Sequence, residues 1–475
     1  MSENLKQKAV KGILWQLAET GGRQCITFVV SVILARLIMP DQFGMIAMLA
    51  VFISISDIFI NAGFSTALIR KLDCTQEDYS SVYWVNIIIS VLCYIILFFC
   101  APAIASFYSM PTLSLILRVT ASGLIIGSLS GVHRTILTSK MNFKAMTKYN
   151  LLGLLISGIV GIVLAYKDFK VWALVYQNLT LTTITTICFW HQVKWRPSFI
   201  ISKSSLKELF GFSSKLFASQ LLGGIYGNIS TMVIGKIYKA SDLAFYDRSY
   251  GLSRLTSSMP TSILQSVTFP TLSKLQNDTE ALKDGYRRII KLSAFIIFPL
   301  CMGMGAVAYP LVTILYTDKW IFTASLLSII VFAEMWYPIH AINLNYLAVI
   351  GRSDLFFRLE VIKKIQGVII LAATVPFGLK MLCYGSIIGS LLSLVWNTYY
   401  TGKFLKMSIF RQIKDVGNTL ILCIVMYIFA KSMATLLGNG IISLICSVSV
   451  GIIVYVFGAI IFKFPEVKEL RNLRK

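Results

Sequence analysis

A succession of apolar segments, each roughly 20 residues long, runs from residue 12 to residue 462 and constrains the fold more than any other feature. A helix of that length crosses the hydrocarbon core of a bilayer, which is about 30 Å thick. The chain is 56% hydrophobic and only 14% charged, whereas a soluble globular chain is about one quarter charged. Membrane barrels use strands of only about ten alternating residues. The pattern therefore predicts an all-α integral membrane protein and excludes a water-soluble fold.

We predict about fourteen transmembrane helices, separated by short polar or basic loops. They lie at residues 12–38, 42–66, 82–106, 112–136, 146–166, 171–191, 211–236, 242–264, 290–316, 322–349, 356–377, 381–402, 415–436 and 440–462. Of the 44 Lys and Arg residues, 32 fall in alternate loops and 9 on the opposite side. Because loops rich in Lys and Arg stay in the cytoplasm, both termini are predicted inside and Lys167, Lys239, Lys319 and Lys431 outside. The formal charge of +23 thus reflects topology, and no nucleic-acid partner is expected.

Two segments about 200 residues apart share one design, in which a polar-striped helix joins the next helix through a very short outer loop. They span residues 35–44 and 235–244, and each contains a basic residue, an apolar pair and an acidic turn. About six spans follow each start. We therefore predict two six-helix lobes, at residues 1–200 and 201–405, and a C-terminal helix pair with a basic tail at 406–475. Such repeats are typical of secondary transporters, whose substrate sites lie between the repeats near mid-membrane.

No motif in the sequence indicates a cofactor, a metal ion or a catalytic group. A P-loop is absent, so the chain does not use ATP through such a loop. The nine cysteines include no C-x-x-C pair, and eight of them lie in or beside apolar segments. They are predicted to be buried small hydrophobic residues, with no zinc site and no disulfide framework.

Polar and charged residues inside the apolar spans are the strongest functional signal, because each charge costs about 2.5–3.5 kcal/mol at the centre of a membrane helix. In the first, second, seventh and eighth spans these residues recur every three or four positions and form one stripe on each helix. Since these spans begin the two predicted lobes, one shared aqueous cavity is expected. The predicted substrate-binding residues are Gln16, Glu19, Arg23, Asp57, Asn61, Gln220, Asp247, Tyr250 and Arg254.

Two interpretations remain open for the charged residues. Glu19 and Arg23 are four positions apart and could neutralise each other as an ion pair within one helix. Alternatively, both face a cavity. Glu19, Asp57 and Glu334 are also candidate sites for a coupling proton or sodium ion, because burial in a span favours cation binding to a carboxylate.

The sequence also resembles a known family over nearly its whole length, and the likeness weakens in the last two helices. The residues that carry it are 34–38, Phe43, Gly44, 66–70, Phe269, Pro270, 274–278, Phe298, Pro299, 310–312, Lys319 and Trp320. They resemble the Wzx-type polysaccharide flippases, and most of all the colanic-acid type of exporter, in the multidrug/oligosaccharidyl-lipid/polysaccharide exporter superfamily.

The resemblance implies a bacterial inner-membrane protein that is not an enzyme. It would move an undecaprenyl-pyrophosphate-linked oligosaccharide repeat unit from the cytoplasmic to the periplasmic face. Membrane lipids and the polysaccharide polymerase or export machinery are the other implied partners. Relatives that flip a peptidoglycan precursor use cationic residues in the first and eighth helices, where Arg23 and Arg254 lie.

Two alternatives are kept. A cation-coupled exporter of small molecules such as drugs, from the same superfamily, would have a cavity dominated by carboxylates and aromatic residues. A membrane glycosyltransferase or polymerase would need a large outer loop with catalytic carboxylates, whereas every predicted outer loop here is short.

Overall fold

The computed structural model describes the backbone of residues 3–71 and 73–472. Side chains are described for these residues except 3–14, 16, 17, 266, 267, 269–271 and 470–472. Within this part the chain is almost entirely helical and contains no strand, as expected for a helical membrane protein. Contacts divide the chain into two units, unit 1 (Met1–Ala244) and unit 2 (Phe245–Lys475).

Unit 1 contains eight complete helices and the start of a ninth. Their bounds are α1 (Glu3–Leu37), α2 (Pro40–Asn61), α3 (Phe64–Arg70), α4 (Gln76–Phe107), α5 (Thr112–Ser139), α6 (Phe143–Tyr166), α7 (Val171–Gln192), α8 (Lys203–Ile237) and α9 (Ala240–Thr256). Helix α6 packs against both α1 and α7, α5 packs against α4 and α7, and α2 packs against α8. These contacts arrange α1 to α7 around a common interior.

Unit 2 contains the rest of α9 and ten further α-helices, with single turns of 3₁₀-helix at Asp318–Trp320 and Val375–Phe377. The helices are α10 (Ser258–Lys274), α11 (Thr279–Ala306), α12 (Ala308–Tyr316), α13 (Ile321–Glu334), α14 (Tyr337–Val349), α15 (Ser353–Thr374), α16 (Leu379–Leu405), α17 (Ile409–Leu437), α18 (Ile441–Ile461) and α19 (Pro465–Asn472). Helix α11 packs against α13 and α17, while α16 packs against α13 and α15.

Each of the fourteen predicted spans coincides with one helix or with two consecutive helices. Within the described residues, nine helical segments are long and apolar enough to cross a membrane. They are Pro40–Arg70, Gln76–Phe107, Thr112–Ser139, Phe143–Tyr166, Thr279–Ala306, Asp318–Val349, Leu379–Leu405, Ile409–Leu437 and Ile441–Ile461. The other five predicted spans fall on the more polar helices α1, α7, α8, α9 with α10, and α15. The helical membrane architecture is therefore confirmed, and the number of crossings stays a prediction.

Four of the predicted spans are broken into two helices, between α2 and α3, α9 and α10, α11 and α12, and α13 and α14. At the first break Ala62 and Gly63 have positive φ angles of 39° and 75°. At the other three, the second helix has a proline among its first three residues, namely Pro260, Pro310 and Pro338. Proline fits the first turn of a helix because its missing N–H would have no partner there.

The two predicted repeat starts meet inside unit 1. A Cβ atom placed on Gly44 of α2 would lie only 1.8 Å from the carbonyl oxygen of Ala240, the first residue of α9. Only a glycine allows the two backbones to approach this closely. The lobes predicted at 1–200 and 201–405 describe a sequence repeat, whereas the two units are defined by contacts, so the lobe boundaries stay a prediction.

A polar network holds the start of α4 against the start of α8. Thr75 and Asp78 form a reciprocal capping box at the first turn of α4. The Lys71 ammonium lies 3.0 Å from the carboxylates of both Asp78 and Glu208, and the Ser205 hydroxyl also donates to Asp78. The hydrogen bonds to Glu208 and then to Asp78 raise the pKa of Lys71. The connection into α8 is thereby fixed to unit 1.

Candidate functional site

Unit 1 contains a polar cavity of about 570 Å³ bounded by helices α1 to α7. Four of the predicted site residues line it, namely Glu19, Arg23, Asp57 and Asn61. The other polar residues of its wall are Ser65, Asn86, Ser128, Ser130, Arg134, Thr135, Thr138, Asn150, Thr182 and Thr185. Polar groups gathered inside apolar helices are costly unless they serve a ligand or one another. This cavity, which we call the unit 1 cavity, is suited to a hydrophilic ligand.

Glu19 is held by α6 and not by its neighbour on α1. The amide nitrogen of Asn150 donates a hydrogen bond of 2.6 Å to Glu19 Oε1, and the Thr147 hydroxyl lies 3.5 Å from Oε2. Among the described residues no ion pair joins Glu19 to Arg23, although the two lie one helical turn apart. The carboxylate is therefore anchored to the cavity wall, and the Arg23 guanidinium is left to the cavity.

Two arginines line the unit 1 cavity, Arg23 from α1 and Arg134 from the last turns of α5. Both side chains are exposed, and in the part of the chain that the structure describes neither forms an ion pair. A guanidinium offers a planar fork of N–H donors that matches the oxygen atoms of a phosphate or carboxylate. The cavity therefore carries two cationic groups that can bind an anionic ligand.

Asp57 and Asn61 lie in the last turns of α2, directly before the break at Ala62. The Asn61 amide donates 2.8 Å to the main-chain oxygen of Asp57, so it does not engage the carboxylate of that residue. Within the described residues the Asp57 carboxylate has no hydrogen bond. It is therefore free to interact with a cation or with a hydroxyl group of a ligand.

The polar cavity residues that come from α4 to α7 were not predicted from the sequence, among them Asn86, Arg134 and Asn150. Arg134 counted among the loop cations, but α5 continues to Ser139 and turns Arg134 toward the cavity. Asn86 is 2% exposed, and its side-chain oxygen has no hydrogen-bond partner among the described residues. A signal was present on α5, where Gly127, Gly131 and Arg134 recur at helical spacing along the cavity side.

Two predicted site residues, one in the first span and one in the seventh, are not placed in the unit 1 cavity by the structure. Gln220 is exposed on α8 and does not line the unit 1 cavity. The side chain of Gln16 lies outside the described residues. Their role in binding stays a prediction.

The predicted residues of the eighth span lie on α9, within unit 2, beside Glu334 of α13. The Ser257 hydroxyl donates 3.0 Å to the Glu334 carboxylate, and Arg254 and Tyr250 also interact with this carboxylate. The Arg254 guanidinium carbon lies 5.8 Å from the centroid of the Tyr250 ring. Asp247 is exposed on the same helix and makes no ion pair with Arg254 among the described residues. Arg254 is thus grouped with Glu334, a predicted coupling residue.

Comparison with known proteins agrees with the sequence resemblance. A family model described as "Polysaccharide biosynthesis protein" matches residues 33–325. The teichuronic acid biosynthesis protein TuaB of Bacillus subtilis (strain 168) is 26% identical over 344 residues, which cover 72% of this chain and 69% of TuaB. The lipopolysaccharide biosynthesis protein WzxC of Escherichia coli (strain K12) is 21% identical over 397 residues, covering 83% of this chain and 80% of WzxC.

Among solved structures, the lipid II flippase MurJ in an inward closed conformation has a TM-score of 0.74 to this chain. The match covers 95% of this chain and 99% of that one, at 16% sequence identity. At this identity the likeness establishes a shared fold. Together with the nine long apolar helical segments found among the described residues, the shared fold confirms the predicted multi-pass membrane protein.

Proposed function

The chain belongs to the family of polysaccharide biosynthesis proteins, and on that premise we propose that it is a flippase for a lipid-linked oligosaccharide. The substrate is an undecaprenyl-pyrophosphate-linked repeat unit of an exopolysaccharide, a capsule or an O-antigen. It passes from the cytoplasmic to the periplasmic face by alternating access around one site. No covalent bond of the substrate changes, so the protein acts as a transporter and not as an enzyme. A polysaccharide polymerase receives the product on the outer side.

The observation that carries this proposal is the chemistry of the unit 1 cavity. Amides and hydroxyls such as Asn61, Asn150 and Thr182 supply the donors and acceptors that a glycan needs. Arg23 and Arg134 supply donors for the oxygen atoms of a pyrophosphate. A hydrophilic and anionic ligand satisfies both sets of groups at once. The polyprenyl tail stays in the lipid, where no polar group is required.

Within this function, Arg23 and Arg254 together bind the pyrophosphate. From the predicted span boundaries, Arg23 lies about 11 residues and Arg254 about 12 residues from the start of its helix. At 1.5 Å per residue, each lies roughly 16–18 Å deep, at one level near the middle of the membrane. Arginine suits this role because it stays charged when it is removed from water. Arg134 lines the same cavity as Arg23 and is the third arginine of the proposed pyrophosphate site.

The proposed topology has fourteen spans with both termini in the cytoplasm, following the distribution of Lys and Arg residues. Transport is coupled to a proton or sodium gradient through Glu19, Asp57 or Glu334. Glu19 and Asp57 share the unit 1 cavity, while Glu334 interacts electrostatically with Arg254 in unit 2. A cation bound at these carboxylates would therefore lie beside the arginines that bind the substrate.

A cation-coupled exporter of small molecules is the alternative of similar fold. Its cavity should be rich in carboxylates and aromatic residues, whereas the unit 1 cavity has two carboxylates, two arginines and one aromatic residue, Phe189. This balance favours an anionic substrate over a cationic one.

The proposal is tested by depleting the protein from cells and analysing lipid-linked oligosaccharides on each face of the inner membrane. A complete repeat unit should accumulate on the cytoplasmic leaflet, and resupply of the wild-type chain should clear it. If complete units still reach the periplasmic leaflet at the normal rate in depleted cells, the protein is not their flippase. Truncated units would instead indicate a glycosyltransferase.

A further inference from the structure

A second groove with cationic residues lies in unit 2, apart from the polar residues discussed above. Helices α15 and α16 run antiparallel, so the start of α15 and the end of α16 lie at the same end of the pair. Between them is a groove of about 480 Å³ whose wall includes Arg352, Arg358 and Lys403. We call it the α15–α16 groove. Its charged end is the end predicted to face the cytoplasm.

The polarity of the groove is layered along the helices. Arg352 and Lys403 lie at the charged end next to the Phe404 ring, and Arg358 lines the groove less than two turns further along α15. Ile362 lies about one turn beyond Arg358, and Trp396 lies about two turns before Lys403, both deeper in the predicted span. Charged and aromatic residues thus share the end of the groove that is predicted to face the cytoplasm, where the head groups of a bilayer lie, and Ile362 lines the part that lies deeper in the span.

The charges of the groove are not balanced by the protein. Arg352 forms a bidentate pair with Asp354, with N–O distances of 2.9 and 2.8 Å. The hydrogen bond from Arg352 lowers the pKa of Asp354 to about 2, so this carboxyl is ionised at neutral pH. Among the described residues Arg358 and Lys403 have no acidic partner. Two positive charges are therefore left over.

Aromatic contacts hold two of the three cations, Arg352 and Lys403, in place. The Phe404 ring lies 5.8 Å from the Arg352 guanidinium carbon and 5.9 Å from Lys403 Nζ. The Tyr400 ring stacks on Phe404 at a centroid distance of 6.4 Å. The Trp396 indole donates 2.8 Å to the side-chain oxygen of Gln366 on α15, which fixes the deeper wall. These contacts fix Arg352, Lys403 and Trp396 in the wall of the groove.

We propose that the α15–α16 groove binds the head group of an anionic glycerophospholipid, such as phosphatidylglycerol, in the leaflet that its charged end faces. The lipid phosphate would lie between Arg358 and Lys403, and one acyl chain would follow Ile362 and Trp396. Trp396 and Tyr399 are exposed by 42% and 62%, so the groove is open at its side for a lipid to enter. This site does not depend on the identity of the transported substrate.

The test is titration of the purified full-length chain with phosphatidylglycerol, followed by native mass spectrometry, with phosphatidylcholine as the uncharged reference. The variant Arg358→Gln/Lys403→Gln should bind phosphatidylglycerol about 25-fold more weakly, because each of the two cations near an anionic lipid is worth roughly fivefold. Its binding of phosphatidylcholine should not change. The charge-conserving variant Arg358→Lys/Lys403→Arg should retain most of the binding, which separates loss of charge from misfolding.

The matched control is Lys274→Gln/Lys414→Gln, which removes two exposed cations of unit 2 that lie outside the groove. This control should bind phosphatidylglycerol as the wild type does. An equal loss in the control would overturn the proposal, since it would show a general effect of net charge. A loss of polyprenyl pyrophosphate binding, with phosphatidylglycerol binding unchanged, would also overturn it and would assign the groove to the transported lipid.

Discussion

Asn150 donates a hydrogen bond of 2.6 Å to the carboxylate of Glu19 and thereby joins α6 to α1 beside the unit 1 cavity. An amide at position 19 still offers an oxygen acceptor, so Glu19→Gln should change the free energy of unfolding by less than about 0.5 kcal/mol. Asn150→Leu leaves the carboxylate without this donor and should cost about 1–2 kcal/mol. Thermal unfolding in detergent measures both. Gln220→Leu, at an exposed site on α8, is the control. Equal destabilisation by Glu19→Gln would contradict this account.

The variant Glu19→Gln also tests whether this carboxylate couples export to an ion gradient. Glu19→Gln, Asp57→Asn and Glu334→Gln each remove a carboxylate that can take up a proton or a sodium ion. We expect at least one of them to make export independent of an imposed proton or sodium gradient while the protein stays folded. Export is measured in vesicles with each gradient applied separately. Wild-type gradient dependence in all three variants would exclude these residues as coupling sites.

Replacing Arg23, Arg134 or Arg254 should show whether substrate binding needs only a positive charge or also the planar guanidinium. A charge-assisted hydrogen bond is worth about 1.5–3 kcal/mol, so Arg23→Ala, Arg134→Ala and Arg254→Ala should each lower polymer export by about tenfold or more. Lysine retains the charge but loses the planar fork of donors, so the Lys variants should also be impaired. Lys274→Ala, at an exposed cation outside the cavity, is the control at matched membrane abundance. Wild-type export from both Arg23→Ala and Arg254→Ala would eliminate the proposed pyrophosphate site.

The positions of the helices were predictable because the apolar segments have the length and continuity of membrane helices. The grouping of Glu19 with Arg23, and of Asp57 with Asn61, followed from their spacing of four residues. A cavity shared by these two pairs was also expected from the sequence, and both pairs line the unit 1 cavity. That Arg23 and Arg254 bind one ligand together stays a prediction, because Arg254 belongs to unit 2.

The remaining features could not be predicted for physical reasons. Asn86 and Asn150 lie in helices that contain other polar residues, such as Ser90 and Thr147. An amide that bonds to a neighbouring helix has the same local sequence pattern as one that faces a cavity. Arg134 could not be assigned to the cavity from the sequence, because a cation near a helix end usually extends to the membrane–water interface. Pro260 and Pro338 mark helix breaks, but proline alone does not predict a break, because Pro102 and Pro299 lie inside continuous helices.

The topology can be tested with reporters that are active on only one side of the membrane. Fusions after Lys167, Lys239, Lys319 and Lys431 should be active outside, because these positions lie on the side poor in Lys and Arg. Fusions after Lys140 and Lys406 should be active inside and serve as the opposite reference. Cytoplasmic activity at two or more of the first four positions would overturn the fourteen-span arrangement.

The contact between Gly44 and Ala240 should tolerate no side chain at position 44. A Cβ there would lie 1.8 Å from the Ala240 carbonyl oxygen, and a main-chain atom cannot move aside as a flexible side chain can. Gly44→Ala should therefore cost about 1–3 kcal/mol and lower the unfolding temperature in detergent. Gly223→Ala on α8 is the matched control, because a Cβ at that site meets nothing within 4 Å and alanine favours a helix. The control should be as stable as the wild type or slightly more stable. If both alanine variants unfold at the wild-type temperature, α2 and the start of α9 do not stay in this close contact.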